Sequence, residues 1–178
     1  YMTFGGMYRE VYVQVRNKTH LADVFIKPQI HPLQVTTEIT VQNISDGITL
    51  QQEIRKKGEG AYSPLGQKPV KQTNVQTVFP VQEICLWEPE NPHLYEIRTS
   101  LWKNGEMIDA RVDITGFREA GFRKDGFYLN GKKLRLRGLN RHQSYPYVGY
   151  AMPKSMQQLD ADILKRELGV NAVRTSHY

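Results

Sequence analysis

Residues 35–43 read VTTEITVQN, with Val35, Thr37, Ile39 and Val41 alternating against Thr36, Glu38, Thr40 and Gln42. A period of two built from β-branched residues predicts a strand with one buried face. The same alternation returns over 48–54 and over 75–81. Residues 94–102 and 108–114 form a further pair around Lys103-Asn104-Gly105-Glu106, and an Asn-Gly step between alternating runs predicts a tight hairpin. The stretches 57–69 and 88–92 are rich in Gly, Pro, Asn and Lys and read as turns. Short antiparallel strands at this spacing over about 100 residues predict a β-sandwich of immunoglobulin type.

The pattern changes after Arg118. Asn130-Gly131 joins 126–129 to 132–134 in a second predicted hairpin, and the chain continues as a strand over 134–139. Ser155 is placed to cap a helix whose apolar positions are Met156, Leu159, Ile163, Leu164 and Leu168, with Gly169 at its end. Residues 170–175 close the series as a short strand. Strand, helix, strand implies parallel pairing. Such a unit has two open edges, so it reads as the opening of a longer α/β array, and the terminus reads as cut rather than finished.

Composition narrows the class. The chain has 178 residues, 39% hydrophobic and 24% charged, which describes a folded globular protein. No apolar run approaches the roughly 18 residues of a membrane span. The net charge of +6 is scattered, with its densest clusters at Arg55-Lys56-Lys57 and at Lys132, Lys133, Arg135 and Arg137. No nucleic-acid motif surrounds them, so a solvated face is the expectation. Cys85 stands alone in an apolar setting, between Ile84 and Leu86, and is expected to be a buried, inert thiol. Localisation stays open.

Candidate chemistry lies where a parallel array collects it, beyond the carboxyl ends of its strands. Asn140-Arg141-His142 follows the first strand of the unit, and Arg174 with His177 closes the second. Two Arg–His clusters are thereby expected side by side. A guanidinium grips a carboxylate in two places, and an imidazole exchanges hydrogen bonds with hydroxyls. The alternative is that both arginines are surface residues and both histidines close loops. No metal site is expected: no His-x-x-x-His or Cys-x-x-Cys occurs, and His20, His31 and His93 read as loop or strand-end residues. No carboxylates make an acid/base pair: Asp160 and Asp162 are two apart on the helix, Glu88 and Glu90 lie in a turn, and Asp109 and Asp113 are expected on outward strand positions.

Several stretches together resemble family 2 glycoside hydrolases, the β-galactosidase and β-glucuronidase group. They are FGGMYREV (4–11), LWEPENPHLY (86–95), GFR (116–118), LNGK (129–132), RGLNRH (137–142), Asp162 with Lys165, and NAVRTSHY (171–178). The resemblance implies a mainly β chain in three parts. Residues 1–18 are the tail of an N-terminal jelly-roll sugar-binding domain, 19–118 an immunoglobulin-like β-sandwich, and 119–178 the truncated start, hairpin and βαβ, of a (β/α)8 TIM barrel. A whole barrel takes about 250 residues.

For function the resemblance implies retaining hydrolysis of terminal β-D-galactosides. Two glutamates about 5 Å apart do this chemistry, one as nucleophile and one as acid/base. Both belong to later barrel strands, so no catalytic residue is expected in 1–178, and the chain alone is expected to be inactive. What carries over is support. His142 and His177 match sugar-binding histidines, Arg174 an arginine that orients the nucleophilic carboxylate, and Asn140 and Arg141 the strand end. Gln143 stands where many relatives have Glu, which removes a charge; Arg141 in place of Lys leans toward the galactosidase branch. The resemblance implies no cofactor within this chain and admits a divalent or monovalent cation in the full-length enzyme. It implies a β-galactoside or related carbohydrate as partner, no nucleic acid and no membrane, and admits a homo-oligomer. The competing readings are a non-catalytic sandwich, as scaffold or carbohydrate-binding module, and an enzyme for another β-glycoside such as a β-glucuronide.

Overall fold

The computed structural model of the chain describes residues 6–176. It divides into two compact units, Val15–Lys133 and Tyr1–Gln14 with Leu134–Tyr178.

The first unit is built on seven strands: β1 (His20–Ile30), β2 (Leu33–Gln42), β3 (Ile48–Lys56), β4 (Ser63–Pro69), β5 (Asn74–Pro80), β6 (Tyr95–Lys103) and β7 (Glu106–Thr115). They form two antiparallel sheets in the orders β1-β2-β5 and β4-β3-β6-β7. The alternation read from sequence is the alternation of burial. Val35, Thr37, Ile39 and Val41 of β2 are buried, as are Ile48, Leu50, Gln52 and Ile54 of β3 and Ile97, Thr99 and Leu101 of β6. One apolar cluster gathers around Leu21, Ile39, Leu50 and Leu101, the other around Val35, Ile97, Tyr95 and Phe117. Buried Gln52 binds residues of both sheets. Its amide nitrogen donates to the Thr37 hydroxyl at 3.1 Å and the Thr99 hydroxyl at 3.0 Å, and its carbonyl accepts from Thr77 at 2.6 Å. Every heavy-atom hydrogen-bonding group of the Gln52 amide is thus engaged by a buried threonine, which is what makes a polar group tolerable there.

Three expectations change in this unit. The stretch 57–69, read as turn, contains β4. Pro64, Gly66 and Pro69 mask the strand pattern, but β4 pairs only with β3 and an edge strand tolerates them. Gly66 is also a packing requirement, since a Cβ there would stand 2.4 Å from the Phe79 ring. Asp109 and Asp113 do not face outward. They pair with Leu101 and Ile97 and so share the inner face of the sheet. Asp109 accepts the Leu21 N–H at 2.7 Å, and Asp113 accepts from Arg111 at 2.8 Å, while Val112 and Ile114 are exposed. β7 is an edge strand, and inward charge at an edge opposes further strand addition. Cys85 is exposed, not buried. Ile84 and Leu86 take the inward positions beside it, and its own N–H donates to the Tyr95 hydroxyl at 2.7 Å. β1 is the strand that the pattern did not signal at all.

Both Asn-Gly turns form as read. Asn104 and Gly105 have φ of 52° and 83°, and Asn130 and Gly131 of 50° and 76°, the double positive φ that a two-residue hairpin of this hand requires. The second turn belongs to a small sheet of β8 (Ala120–Arg123), β9 (Gly126–Leu129) and β10 (Lys132–Lys133), in the order β10-β9-β8. This sheet falls in the compact unit that ends at Lys133. Asn130 ties it there, its side chain donating to the Trp87 carbonyl at 3.0 Å.

The second unit contains β11 (Gly138–His142), α1 (Lys154–Asp162) continued by a π-helical turn (Ile163–Glu167), and β12 (Ala172–Ser176). β11 and β12 pair in parallel, as the strand–helix–strand order required. The strand expected at 134–139 lies further on, at 138–142. Residues before Gly138 are engaged by Asn171, whose side chain donates to the Arg135 carbonyl at 3.0 Å and accepts from the Arg137 N–H at 2.8 Å. The helix opens one residue before Ser155, behind Pro153, with no side-chain cap bond. Pro153 fits an N-terminus because it lacks the N–H that the first turn leaves unpaired. Gly169 ends the helix with φ of 63°, as expected.

Candidate functional site

Asn140, Arg141, His142 and Arg174 are placed by the β11–β12 ladder. The register sets Asn140 opposite Arg174 and Arg141 opposite Thr175. Successive side chains of a strand point to opposite faces, so Asn140 and His142 share one face of β11 and Arg141 takes the other. Arg174 lies on the Asn140 face, and its guanidinium donates to the Asn140 side-chain carbonyl at 3.3 Å. Both residues are exposed. His142 ends β11, exposed, where its carbonyl accepts the Ser144 N–H at 3.0 Å. His177 lies outside the described residues.

Close strand approach underlies this geometry. A Cβ on Gly138 would stand 2.7 Å from the Ala172 carbonyl oxygen, so only glycine permits the ladder to begin there. Asn171 then fixes the start of β12 against the chain entering β11. Arg141 is turned to the helix: its Nε donates to Asp160 and its Nη2 to Gln157, both at 2.7 Å. Asp160, weighed in the sequence only as half of an acid pair, is an arginine partner. Its spacing from Arg141 carries no motif, so the sequence held no signal for this contact. Asp162 pairs instead with Arg166 along the helix.

On its exposed face the site offers a guanidinium, an amide and an imidazole. These groups donate to carboxylates and exchange hydrogen bonds with hydroxyls. Among the described residues no group of three or more His, Cys, Asp and Glu stands ready for a metal ion, and no helix is long and apolar enough to cross a membrane.

A second polar constellation lies on the outer face of β3 and β6. Arg55 pairs with Glu96 at 2.6 Å, Arg98 with Glu53 at 2.6 Å, and both guanidiniums stack on the Tyr62 ring at 4.4 and 4.3 Å. The Arg55 hydrogen bond, followed by that of Tyr62, holds the Glu96 carboxyl below the usual carboxylate range. Its acids and bases satisfy one another, which marks a structural network rather than a reacting centre.

The profile of glycosyl hydrolases family 2 matches residues 19–118, and that of the family's TIM barrel domain matches residues 121–178. A β-galactosidase of Thermoanaerobacter pseudethanolicus is 42% identical, the match covering 100% of this chain and 25% of the relative. A β-galactosidase of Thermoanaerobacterium thermosulfurigenes is 41% identical, covering 100% of this chain and 26% of the relative. The solved structure of an FMN-binding β-glucuronidase from Facaelibacterium prausnitzii superposes with a TM-score of 0.76 at 29% identity, covering 92% of this chain and 26% of that one. The chain therefore spans about a quarter of the length of the curated relatives it matches.

Proposed function

Since the chain belongs to family 2 of the glycosyl hydrolases, we propose that the full-length protein carrying it cleaves terminal β-D-galactosides with retention of configuration. In this reading Val15–Lys133 is the scaffold and β11-α1-β12 opens the catalytic barrel. The observation that carries it is the parallel β11–β12 ladder, which sets Arg174 on Asn140 at 3.3 Å and His142 on the same face. The two β-galactosidase relatives above 40% identity favour a galactoside over a uronide.

Arg174 has the role of holding the nucleophilic carboxylate ionised and aimed, because a fixed positive charge stabilises the charged form. His142 and His177 bind sugar hydroxyls and strengthen those contacts as positive charge develops on the ring. The glutamate pair itself comes from strands beyond β12. Three carboxylates of this chain serve other ends: Asp109 accepts a backbone N–H, Asp113 pairs with Arg111, and Asp160 pairs with Arg141. A cation and a homo-oligomer are compatible with this reading and are not required by it.

The test is steady-state turnover of p-nitrophenyl β-D-galactoside and β-D-glucuronide by the full-length protein. Galactoside is expected to be turned over with the higher kcat/KM, and Arg174→Ala to lower kcat by about 100-fold, the effect of removing one stabilising donor. A higher kcat/KM for the glucuronide would move the substrate to the uronides. Turnover by residues 1–178 alone would sink the claim that the acids lie elsewhere.

A further inference from the structure

Arg141 points away from the sugar-facing side, yet it stands in the chain between two residues that point toward it, Asn140 and His142. Its side chain is 16% exposed and is held by two acceptors on α1. Asp160 Oδ2 accepts from Nε at 2.7 Å and Gln157 Oε1 accepts from Nη2 at 2.7 Å. Gln157 and Asp160 are three residues apart on the helix, so both side chains reach the same patch of strand. A guanidinium is planar, with donors in fixed directions, so two acceptors set its orientation as well as its position.

Both contacts run directly from β11 to α1. The far end of the connection is tied separately, through Asn171 to Arg135 and Arg137. The carboxyl end of β11, where Asn140 and His142 sit, is therefore referenced to the helix through Arg141.

We propose that Asp160, with Gln157 as its second point of contact, is a positioning residue for the glycosidase site. It acts through Arg141. The clamp fixes the twist of β11 at Arg141, and the pleat passes that twist to Asn140, and so to Arg174, on one side and to His142 on the other. Neither Asp160 nor Gln157 touches substrate. The inference rests on the hydrolase reading of this face.

Full-length protein is assayed on p-nitrophenyl β-D-galactoside and β-D-glucuronide as wild type, Asp160→Asn, Asp160→Glu and Gln157→Met, with thermal unfolding followed alongside. Asp160→Asn is expected to lower kcat by about 10- to 100-fold, the scale of a displacement on the order of 1 Å at a reacting centre. KM should stay within about threefold, since a group acting on orientation is felt most in the transition state. Asp160→Glu, which keeps the charge, should recover a large part of that loss. Gln157→Met leaves the ion pair intact and should lower kcat by a smaller factor of about three to ten, again at constant KM and unfolding midpoint.

An Asp160→Asn enzyme with kcat within twofold of wild type overturns the proposal. So does a loss of kcat that only tracks the unfolded fraction. If Asp160→Asn does not fold, Gln157→Met decides: an unchanged kcat overturns the proposal and a selective loss upholds it. A wild type that turns over neither glycoside sinks the hydrolase reading and this inference with it.

Discussion

The unit Val15–Lys133 and the unit containing β11, α1 and β12 use polar groups in opposite ways. In the first, burial is plentiful: every buried apolar side chain among the described residues lies there except Met152. Its polar hub, Gln52 with Thr37, Thr77 and Thr99, sits inside an already closed core and ties one sheet to the other. In the second, burial is thin. Leu139 and Val173, neighbours in the parallel ladder, are 46% and 43% exposed. Within this chain the polar ties at Arg141–Asp160 and at Asn171 join the elements of this unit. A core that closes on itself needs polar groups only to choose one register. A two-stranded sheet is marginal on its own, and there polar ties decide which groups meet.

The largest effect expected from this contrast is at the hub. Gln52→Leu leaves three buried threonine hydroxyls without their partner and should destabilise the sandwich by about 3 kcal/mol, at roughly 1 kcal/mol for each. Denaturant unfolding of the chain measures it, and an unchanged midpoint would show that the hub adds nothing to a closed core.

A pair of glycine substitutions separates the two units. Gly66→Ala drives a Cβ to 2.4 Å from the Phe79 ring, and Gly138→Ala drives one to 2.7 Å from the Ala172 backbone oxygen. Each should cost about 1–3 kcal/mol through overpacking. Their footprints differ. Hydrogen exchange should quicken across β3, β4 and β5 for the first variant, and only across β11 and β12 for the second. Quickened exchange in β2 or β6 from Gly138→Ala would mean that the two units do not unfold separately.

The smallest expected effect is electrostatic. The Glu96 carboxyl is depressed in the folded state, first by Arg55 and then by Tyr62. The folded state therefore binds this proton less readily than the unfolded one. The stabilisation is present above the usual glutamate value of about 4.3 and is lost as pH falls through the depressed value. Wild type should lose stability over that window more steeply than Glu96→Gln, as pH titration of the unfolding midpoint would show. Parallel curves would remove Glu96 from the account.

The legible parts of the fold are those where one residue type decides one local conformation. Asn104-Gly105 and Asn130-Gly131 specify their turns because few residues adopt positive φ. Ile39, Leu50 and Ile97 announce their strands by alternation. β4 was hidden because Pro64 and Gly66 read as turn residues until a neighbour makes them an edge. Cys85 reads as buried from its apolar neighbours, yet those neighbours take the inward positions and leave it outside. In the candidate site, Asn140, Arg141, His142 and Arg174 were visible as residues, but Asp160 and Gln157 were not visible as their support.

The amino-acid sequence by itself determined the strand periodicity, the two Asn-Gly turns, the helix end at Gly169 and the parallel sense of β11 and β12, because each follows from short-range sterics and the side-chain period. Only the tertiary structure decided which edge β4 and β7 would form, which way Asp109 and Asp113 would face, and what Arg141 would hold. Those outcomes depend on partners distant in the chain, and a side chain's free energy on a strand or helix is set by what stands opposite it.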